Sequence, residues 1–232
     1  MISTDQLGEI AVFGARGHSM LIIKGMEEYW RGSVKVRVLI DDIENGFTHP
    51  VMGIPVISSE QRLRDYPDLP VLLTPGSGTT REAAAARLAE EGAVIATATC
   101  PKQYWVDPAV HFGPGCVVGP YVRLGPNIRI GKGVQVLSTL VAHDVEIGDF
   151  STLNVNSSVL GHVVIGRNVN IAPNAVIGNG TRDKPLRIGD GAVIGTGAVI
   201  TRDVGPGARM VGNPAMSVER WKKFSRWLDT QK

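Results

Sequence analysis

Across the second half of the chain, apolar positions return with a period of six. Val106, Phe112, Val118, Leu124, Ile130 and Val136 lead, and a second set follows four places on: Val110, Cys116, Val122, Ile128, Val134 and Leu140. The pattern resumes at Val141, Ile147, Leu153, Val159, Ile165, Ile171 and Ile177, and again at Ile188, Ile194 and Ile200. Glycine follows the lead residue at 113, 119, 125 and 131. A helix cannot keep a six-residue period on one face. A short strand followed by a turn can, with glycine wherever the turn needs unusual backbone angles. Such internal repetition predicts a parallel β-helix from about Val106 to Val204, its coils about 4.8 Å apart. A β-sandwich would need longer strands with period-two alternation.

The first hundred residues follow another grammar. Ile10–Phe13 is a short apolar run that stops at Gly14, and Ser19–Trp30 carries Met20, Ile23, Met26 and Trp30 at helical spacing. Val34–Ile40 reads as a strand ending at Asp41-Asp42, and Val71–Leu73 as another ending at Thr74-Pro75-Gly76. Thr80–Glu91 favours a helix and Ala93–Ala96 a last strand. Strands alternating with helices predict a parallel sheet with helices on its faces. In the tail, Val218, Trp221, Phe224 and Leu228 match one helical face, a helix that caps the solenoid or joins a partner. The expected organisation is an α/β domain over 1–100, the β-helix over 101–216 and a short helix over 217–232.

Composition narrows the classes without choosing among them. The formal net charge is +2 over 232 residues, with 20% charged and 43% hydrophobic positions. That balance, with no Lys/Arg run, argues against nucleic acid and anionic membrane as partners. No apolar stretch reaches the roughly 18 residues of a membrane span, and the N-terminus lacks a signal-peptide pattern. Two cysteines, Cys100 and Cys116, make no disulfide framework. The expected setting is the cytoplasm.

The repeat with its closing Gly212-Asn213-Pro214-Ala215 resembles the hexapeptide-repeat, left-handed β-helix acyltransferases. Their usual basic residue after that motif is here Met216. With Gly14-Ala15-Arg16-Gly17-His18, Asp41-Asp42, and His143-Asp144 ahead of Ile147-Gly148-Asp149-Phe150, nearly the whole chain is similar to one branch. That branch holds the bacterial sugar acetyltransferases of the bacillosamine N-acetyltransferase and sialic acid O-acetyltransferase type. The resemblance implies a Rossmann-like N-terminal domain that binds a nucleotide-linked amino sugar, acetyl-CoA as acyl donor, and a homotrimer. It implies His143 as general base and Asp144 as its orienting acid. Some relatives carry a second histidine nine residues after the base, near the cofactor; here that position is Thr152.

The repeat itself also points to His143. First and fifth residues of each hexad face inward, so third and fourth places form the outer corner. Counted from Val141, those are His143 and Asp144, just past a place where five residues rather than six separate two leads. Three hexads per coil, as the resemblance implies, put Asp144 under His162 and His143 under Gly161, where the glycine leaves room for a substrate. The interruption Thr181-Arg182-Asp183-Lys184-Pro185 would project over the same corner. Histidine, with an unperturbed pKa of about 6.5, suits removal of a proton from an attacking amine or hydroxyl. Backbone amides of Ala172, Gly178 and Gly195 are candidates for the pantetheine of acetyl-CoA. Arg182, Lys184 and Arg187 are candidates for its phosphates.

In the N-terminal half, Gly14-Ala15-Arg16-Gly17 sits at a strand-to-helix turn, which offers free N–H groups and a helix dipole to an anion. The resemblance implies a nucleotide-sugar pocket there, with Gly17 and His18 at the phosphates and Asp41 or Asp42 at the nucleoside. Gly14 and Arg16 of the turn, with Gly76 and Arg81 completing the pocket, are further candidate substrate contacts. Three other readings stand beside N-acetylation. They are O-acetylation of a sugar such as sialic acid, a β-helix zinc site using His111, His143 and His162, and a non-catalytic scaffold. The reading adopted at this stage holds no metal.

Overall fold

The computed structural model describes residues 8–100 and 105–230. The expected domain boundary at Pro101 lies outside the described residues.

The N-terminal half forms a five-stranded sheet. Its elements are β1 (Glu9–Phe13), α1 (Gly17–Trp30), β2 (Lys35–Ile40), β3 (Phe47–Thr48), β4 (Pro55–Ile57), α2 (Ser59–Asp65), β5 (Val71–Leu73) and α3 (Gly78–Glu90). The order is β3-β4-β2-β1-β5, parallel except for the β3–β4 hairpin. The parallel core of β1, β2 and β5 matches the apolar runs, which are buried on both faces of the sheet. The hairpin and α2 carry no long apolar run, and the sequence reading passed over them. The strand expected at Ala93–Ala96 reduces to a single bridge between Ile95 and Val71, because the chain there turns toward the second half.

From Trp105 onward, two- and three-residue strands stack into three parallel faces. The first face runs from Trp105–Val106 through Leu140–Val141 to Val199–Ile200, and the second from His111–Phe112 through Val145–Ile147 to Leu186–Ile188. The third begins at Ala98–Thr99, passes through Gln135–Val136 and Thr152–Leu153, and ends at Arg209–Val211 with the antiparallel Met216–Ser217. The inward residues of all three faces make one continuous core. Strand partners most often lie 18 residues apart, as in Leu140 with Ser158. The shortened coil makes this 17 on all three faces (Arg123 with Leu140, Ile128 with Val145, Gln135 with Thr152). The 181–185 interruption makes it 23, as in Val163 with Leu186.

The glycines after the lead residues serve a purpose other than the one expected. Gly125, for example, lies in ordinary backbone space, but a Cβ there would run into the carbonyl of Ala142 on the next coil. Close coil-to-coil approach selects glycine at this place. The positive φ angles fall instead at the fourth place, at Asn127, Asp144, Asn156, His162, Asn168 and Asn174. Asparagine and aspartate tolerate that region better than other side chains.

Leu140 does not take the expected inward place. Thr139 does: it is buried, and its hydroxyl reaches the carbonyls of Leu137 and Asn154 at 2.9 and 3.0 Å. The inward residue keeps its distance from the lead that follows, so the missing residue comes out of the turn at Leu137-Ser138.

The last helix, α4 (Val218–Asp229), leans on the closing strands and leaves Trp221, Phe224, Trp227 and Leu228 exposed. Among the described residues no helix is long and apolar enough to cross a membrane.

The two halves are tied together. Helix α1 buries Ile22, Ile23 and Met26 in a cluster that includes Val117 and Leu137 of the third face. The start of α3 meets the corner between the second and third faces so closely that a Cβ on Gly78 would strike the carbonyl of Phe150.

Candidate active site

Two places gather the candidate residues. The first is the corner between the first and second faces, where Leu140–Val141 hands over to Val145–Ile147. His143 and Asp144 occupy the turn, with φ of 53° at Asp144. The His143 Nδ1 lies 2.7 Å from Asp144 Oδ2. One coil on, His162, with φ of 57°, places its Nδ1 3.9 Å from the same oxygen, and the two imidazoles meet edge to face at 5.3 Å. Asn127, one coil earlier, donates its side-chain amide to Asp144 Oδ1 at 2.5 Å. Side-chain hydrogen bonds from Asn127 first, and from His143 second, hold the Asp144 carboxyl below the ordinary carboxylate range.

Gly161 does stack over His143, but the space above is already filled. A Cβ there would stand 2.5 Å from the ring Cε1 and 2.7 Å from Nε2. The glycine thus makes room for the imidazole itself rather than for a substrate. The amide of Gly161 is also taken, by Asn179 Oδ1 at 2.9 Å.

The 181–185 interruption sits where stacking placed it. Pro185 lines a shallow recess of about 200 Å³ with Asn127, Asp144 and His162. On its far side Lys184 lines a groove of about 490 Å³ together with Thr181, Thr201, Arg202 and Asp203. Arg182 is exposed beside that groove without lining it. Arg187 stands within the strand Leu186–Ile188, its amide bonded to Asp203.

Several expected cofactor contacts do not survive. The amides of Ala172, Gly178 and Gly195 donate to Ile194, Ile200 and Met210 at 2.8–2.9 Å in the ladder between coils. A parallel coil stack consumes the amides on its strands and leaves none of these three for pantetheine. Thr152 is buried at the junction of the halves, accepting from Arg81 and donating to the Gly76 carbonyl. His111 lies on the first strand of the second face, paired with Arg129 one coil before Glu146 and apart from the His143 turn, so the three-histidine zinc cluster does not form.

The second place is a cleft of about 440 Å³ at the C-terminal ends of β1, β2 and β5. Gly14, Arg16, His18, Asp41, Asp42 and Gly76 line it as expected, with Phe13, Ile43 and Ser77 added. Gly14 needs its φ of 117°, and a Cβ there would collide with Ser19. Arg16, at the N-cap of α1, makes no side-chain cap, which leaves the first amides of the helix open to an anion. Gly17 begins the helix without lining the cleft. Arg16 Nε lies 3.3 Å from Asp41 Oδ2.

Asp42 is spent elsewhere. It accepts from the amide and hydroxyl of Ser59 at 2.7 and 2.8 Å and from Arg87 at 2.9 Å. Burial works to raise its pKa, yet these bonds outweigh it and keep the carboxyl below the ordinary range.

Arg81 is the largest departure. It is fully buried and does not line this cleft. Its guanidinium donates to the carbonyls of Gly133 (3.0 Å), Pro75 (2.8 Å), Gly76 (3.1 Å), Phe150 (2.6 Å) and Ser151 (3.2 Å) and to Thr152 Oγ1. Burial pushes its pKa down to about 10. It is the bolt between the cleft's back wall and the β-helix.

His18 is braced from the β-helix as well. Its Nε2 lies 3.0 Å from Oε1 of the buried Gln135, whose amide nitrogen donates to the carbonyls of Leu73 and Pro75. Asn127 and Gln135 were missed by the sequence reading. Counting 17 back from Asp144, through the shortened coil, would have found the first; nothing local marks the second.

The chain was compared with known proteins. Residues 100–182 match the family model described as the GMPPB C-terminal domain. WeeI from Acinetobacter baumannii AYE is similar at 30% identity, covering 90% of this chain and 100% of that one with a TM-score of 0.82. The acetyltransferase domain of PglB from Neisseria gonorrhoeae FA1090, in complex with acetyl coenzyme A, shares the fold: TM-score 0.79, 23% identity, 91% of this chain and 100% of that one. The GDP-perosamine N-acetyltransferase of Escherichia coli O157:H7 is 38% identical over 80 residues, 34% of this chain and 36% of that enzyme. The chain spans between about a quarter and about a third of the length of such curated relatives.

Proposed function

We propose that this chain, which belongs to the hexapeptide-repeat acyltransferase family, is an N-acetyltransferase that moves the acetyl group of acetyl-CoA onto the amine of a nucleotide-linked amino sugar. The observation that carries the reading is the His143–Asp144 pair, 2.7 Å apart at an open corner beside a groove. Partial identity to an enzyme that acetylates GDP-perosamine supports the choice of acceptor.

The mechanism follows from the tautomer. Ionised Asp144 accepts from His143 Nδ1, so the free lone pair of the neutral ring lies on Nε2. The sugar amine attacks the thioester carbonyl, forming the C–N bond. His143 Nε2 takes the proton that the nitrogen sheds. The C–S bond then breaks, and the CoA thiolate leaves with that proton. Lys184 and Arg202 line the groove and Arg182 stands beside it; these are the cations for the phosphates of CoA.

The cleft is the nucleotide-sugar site. The open N-terminus of α1, with Arg16 and His18, meets the diphosphate, and Asp41 is the acidic group for the nucleoside. A free sugar would leave that phosphate-suited turn unused, which favours N-acetylation of a nucleotide sugar over the sialic acid reading. The reading keeps the expected cytoplasmic setting.

Cleft and histidine corner lie at different edges of the β-helix. The cleft adjoins the corner at Phe150, whereas His143 stands at the other end of the Val145–Ile147 strand. A whole face separates them within one chain. We therefore assign the working site to a homotrimer, with the cleft of one copy facing the histidine corner of the next.

The test is turnover of acetyl-CoA with a panel of GDP-, UDP- and dTDP-linked 4-amino sugars. His143→Ala should lower kcat by about 100- to 10,000-fold, the range of a general base. Absence of turnover across the panel would sink the substrate class, and full activity in His143→Ala would sink the base.

A further inference from the structure

The histidine corner is also a metal-ligand set of a kind the three-histidine reading did not foresee. We propose that His143, Asp144 and His162 form an inhibitory site for a divalent cation of the zinc class. The ligand atoms of the three side chains all lie within 4.8 Å of one another. A tetrahedral ion with bonds of about 2.0–2.1 Å needs donors about 3.3 Å apart. The separations from Asp144 Oδ2, 2.7 Å to His143 Nδ1 and 3.9 Å to His162 Nδ1, bracket that value. Small side-chain rotations close the difference.

The set is held in place before any ion arrives. The Asp144 amide donates to the Pro126 carbonyl at 3.1 Å and the His162 amide to the His143 carbonyl at 3.2 Å, so both turns are locked into the coil stack. Asn127 fixes the second carboxylate oxygen, the outer support that metal-binding carboxylates commonly have. All three side chains are part-exposed, at 48%, 38% and 30%, so an ion can enter and keep a water in its fourth position. Two imidazoles and one carboxylate suit zinc, cobalt or nickel, whereas magnesium and calcium prefer all-oxygen sites.

Binding would disable the corner. The ion takes the Nδ1 lone pair of His143, which shifts the ring's one proton to Nε2, and takes over the Asp144 oxygen that oriented the ring. Nε2 then carries the N–H and has no lone pair with which to take the proton of the attacking amine. The inhibitory half of this proposal rests on the base assigned to His143; the binding half does not.

The test begins with the metal-stripped full chain titrated with cobalt, read by visible absorption, and with zinc, read by equilibrium dialysis. One ion per chain is expected. Asp144→Asn and His162→Ala should each lose the cobalt spectrum, and Asn127→Ala should weaken binding about 10-fold. Circular dichroism of each variant shows that the fold is kept. Equal zinc uptake by Asp144→Asn and His162→Ala would place the ion elsewhere and overturn the site. In the acetyl-transfer assay, one equivalent of zinc should abolish turnover and a chelator should restore it. Full turnover with the site loaded would overturn the inhibition. If no nucleotide sugar is turned over yet cobalt binds and is lost in the variants, the function reading fails and the metal site stands.

Discussion

At the corner, single atoms decide the chemistry. His143 has its ring edge under Gly161, so Gly161→Ala should push the imidazole aside and leave the coil stack intact. A displacement near 1 Å lowers catalysis about 100-fold. Steady-state kinetics beside a melting curve separates the two effects: kcat should collapse while Tm stays near wild type. Asp144 makes a second prediction. Its carboxyl is held below the ordinary range by Asn127 and then His143. A depressed folded pKa means that the linked stability is present above the unfolded value, near 3.9, and is lost as pH falls through the folded one. Carbon NMR of the Asp144 carboxyl should titrate below 3.9, and Asn127→Ala should move it back up. An unchanged titration in that variant would remove Asn127 from the account. His143 and Asp144 were legible from their corner places because side chains there must point outward. Asp42 and Thr152 were not, since what a polar side chain bonds to depends on which element docks against it.

The elements show where periodicity informs and where it misleads. Six-residue spacing predicted the solenoid, its core and the loop at 181–185, because inward burial is a local property of each coil. It misassigned Leu140, since a deletion is absorbed in the turn and the strand keeps its register with the next coil. It also offered the amides of Ala172, Gly178 and Gly195 to a ligand, although stacking satisfies them in the coil above. The five-stranded sheet was read correctly at its central strands, whose burial on both faces leaves continuous apolar runs, and missed at the short hairpin edge. Helix α3 carries the heaviest duty for its length. Arg81→Ala would take a donor from five carbonyls at a buried junction. Pro75, Gly76 and Ser151 keep another from Gln135 or Thr152, whereas Gly133 and Phe150 lose the Arg81 bond at about 1–3 kcal/mol each. Urea unfolding followed by the buried Trp30 should report a loss of at least about 2 kcal/mol, with Arg81→Lys recovering part of it. A loss within experimental error would mean that water satisfies the junction.

At the scale of the molecule, the clamp at Arg81 and the brace from Gln135 to His18 make cleft and β-helix one body. The cleft therefore cannot swing round its own chain to reach its own histidine. That separation by a whole face has a genetic consequence. Two inactive variants, His143→Ala with a sound cleft and Arg16→Glu with a sound corner, should rescue each other when dissociated and reassembled together. In a ring that mixes at random, about one junction in four pairs a good cleft with a good histidine, so about a quarter of wild-type activity should return. A mixture as dead as its parents would mean that each chain works alone.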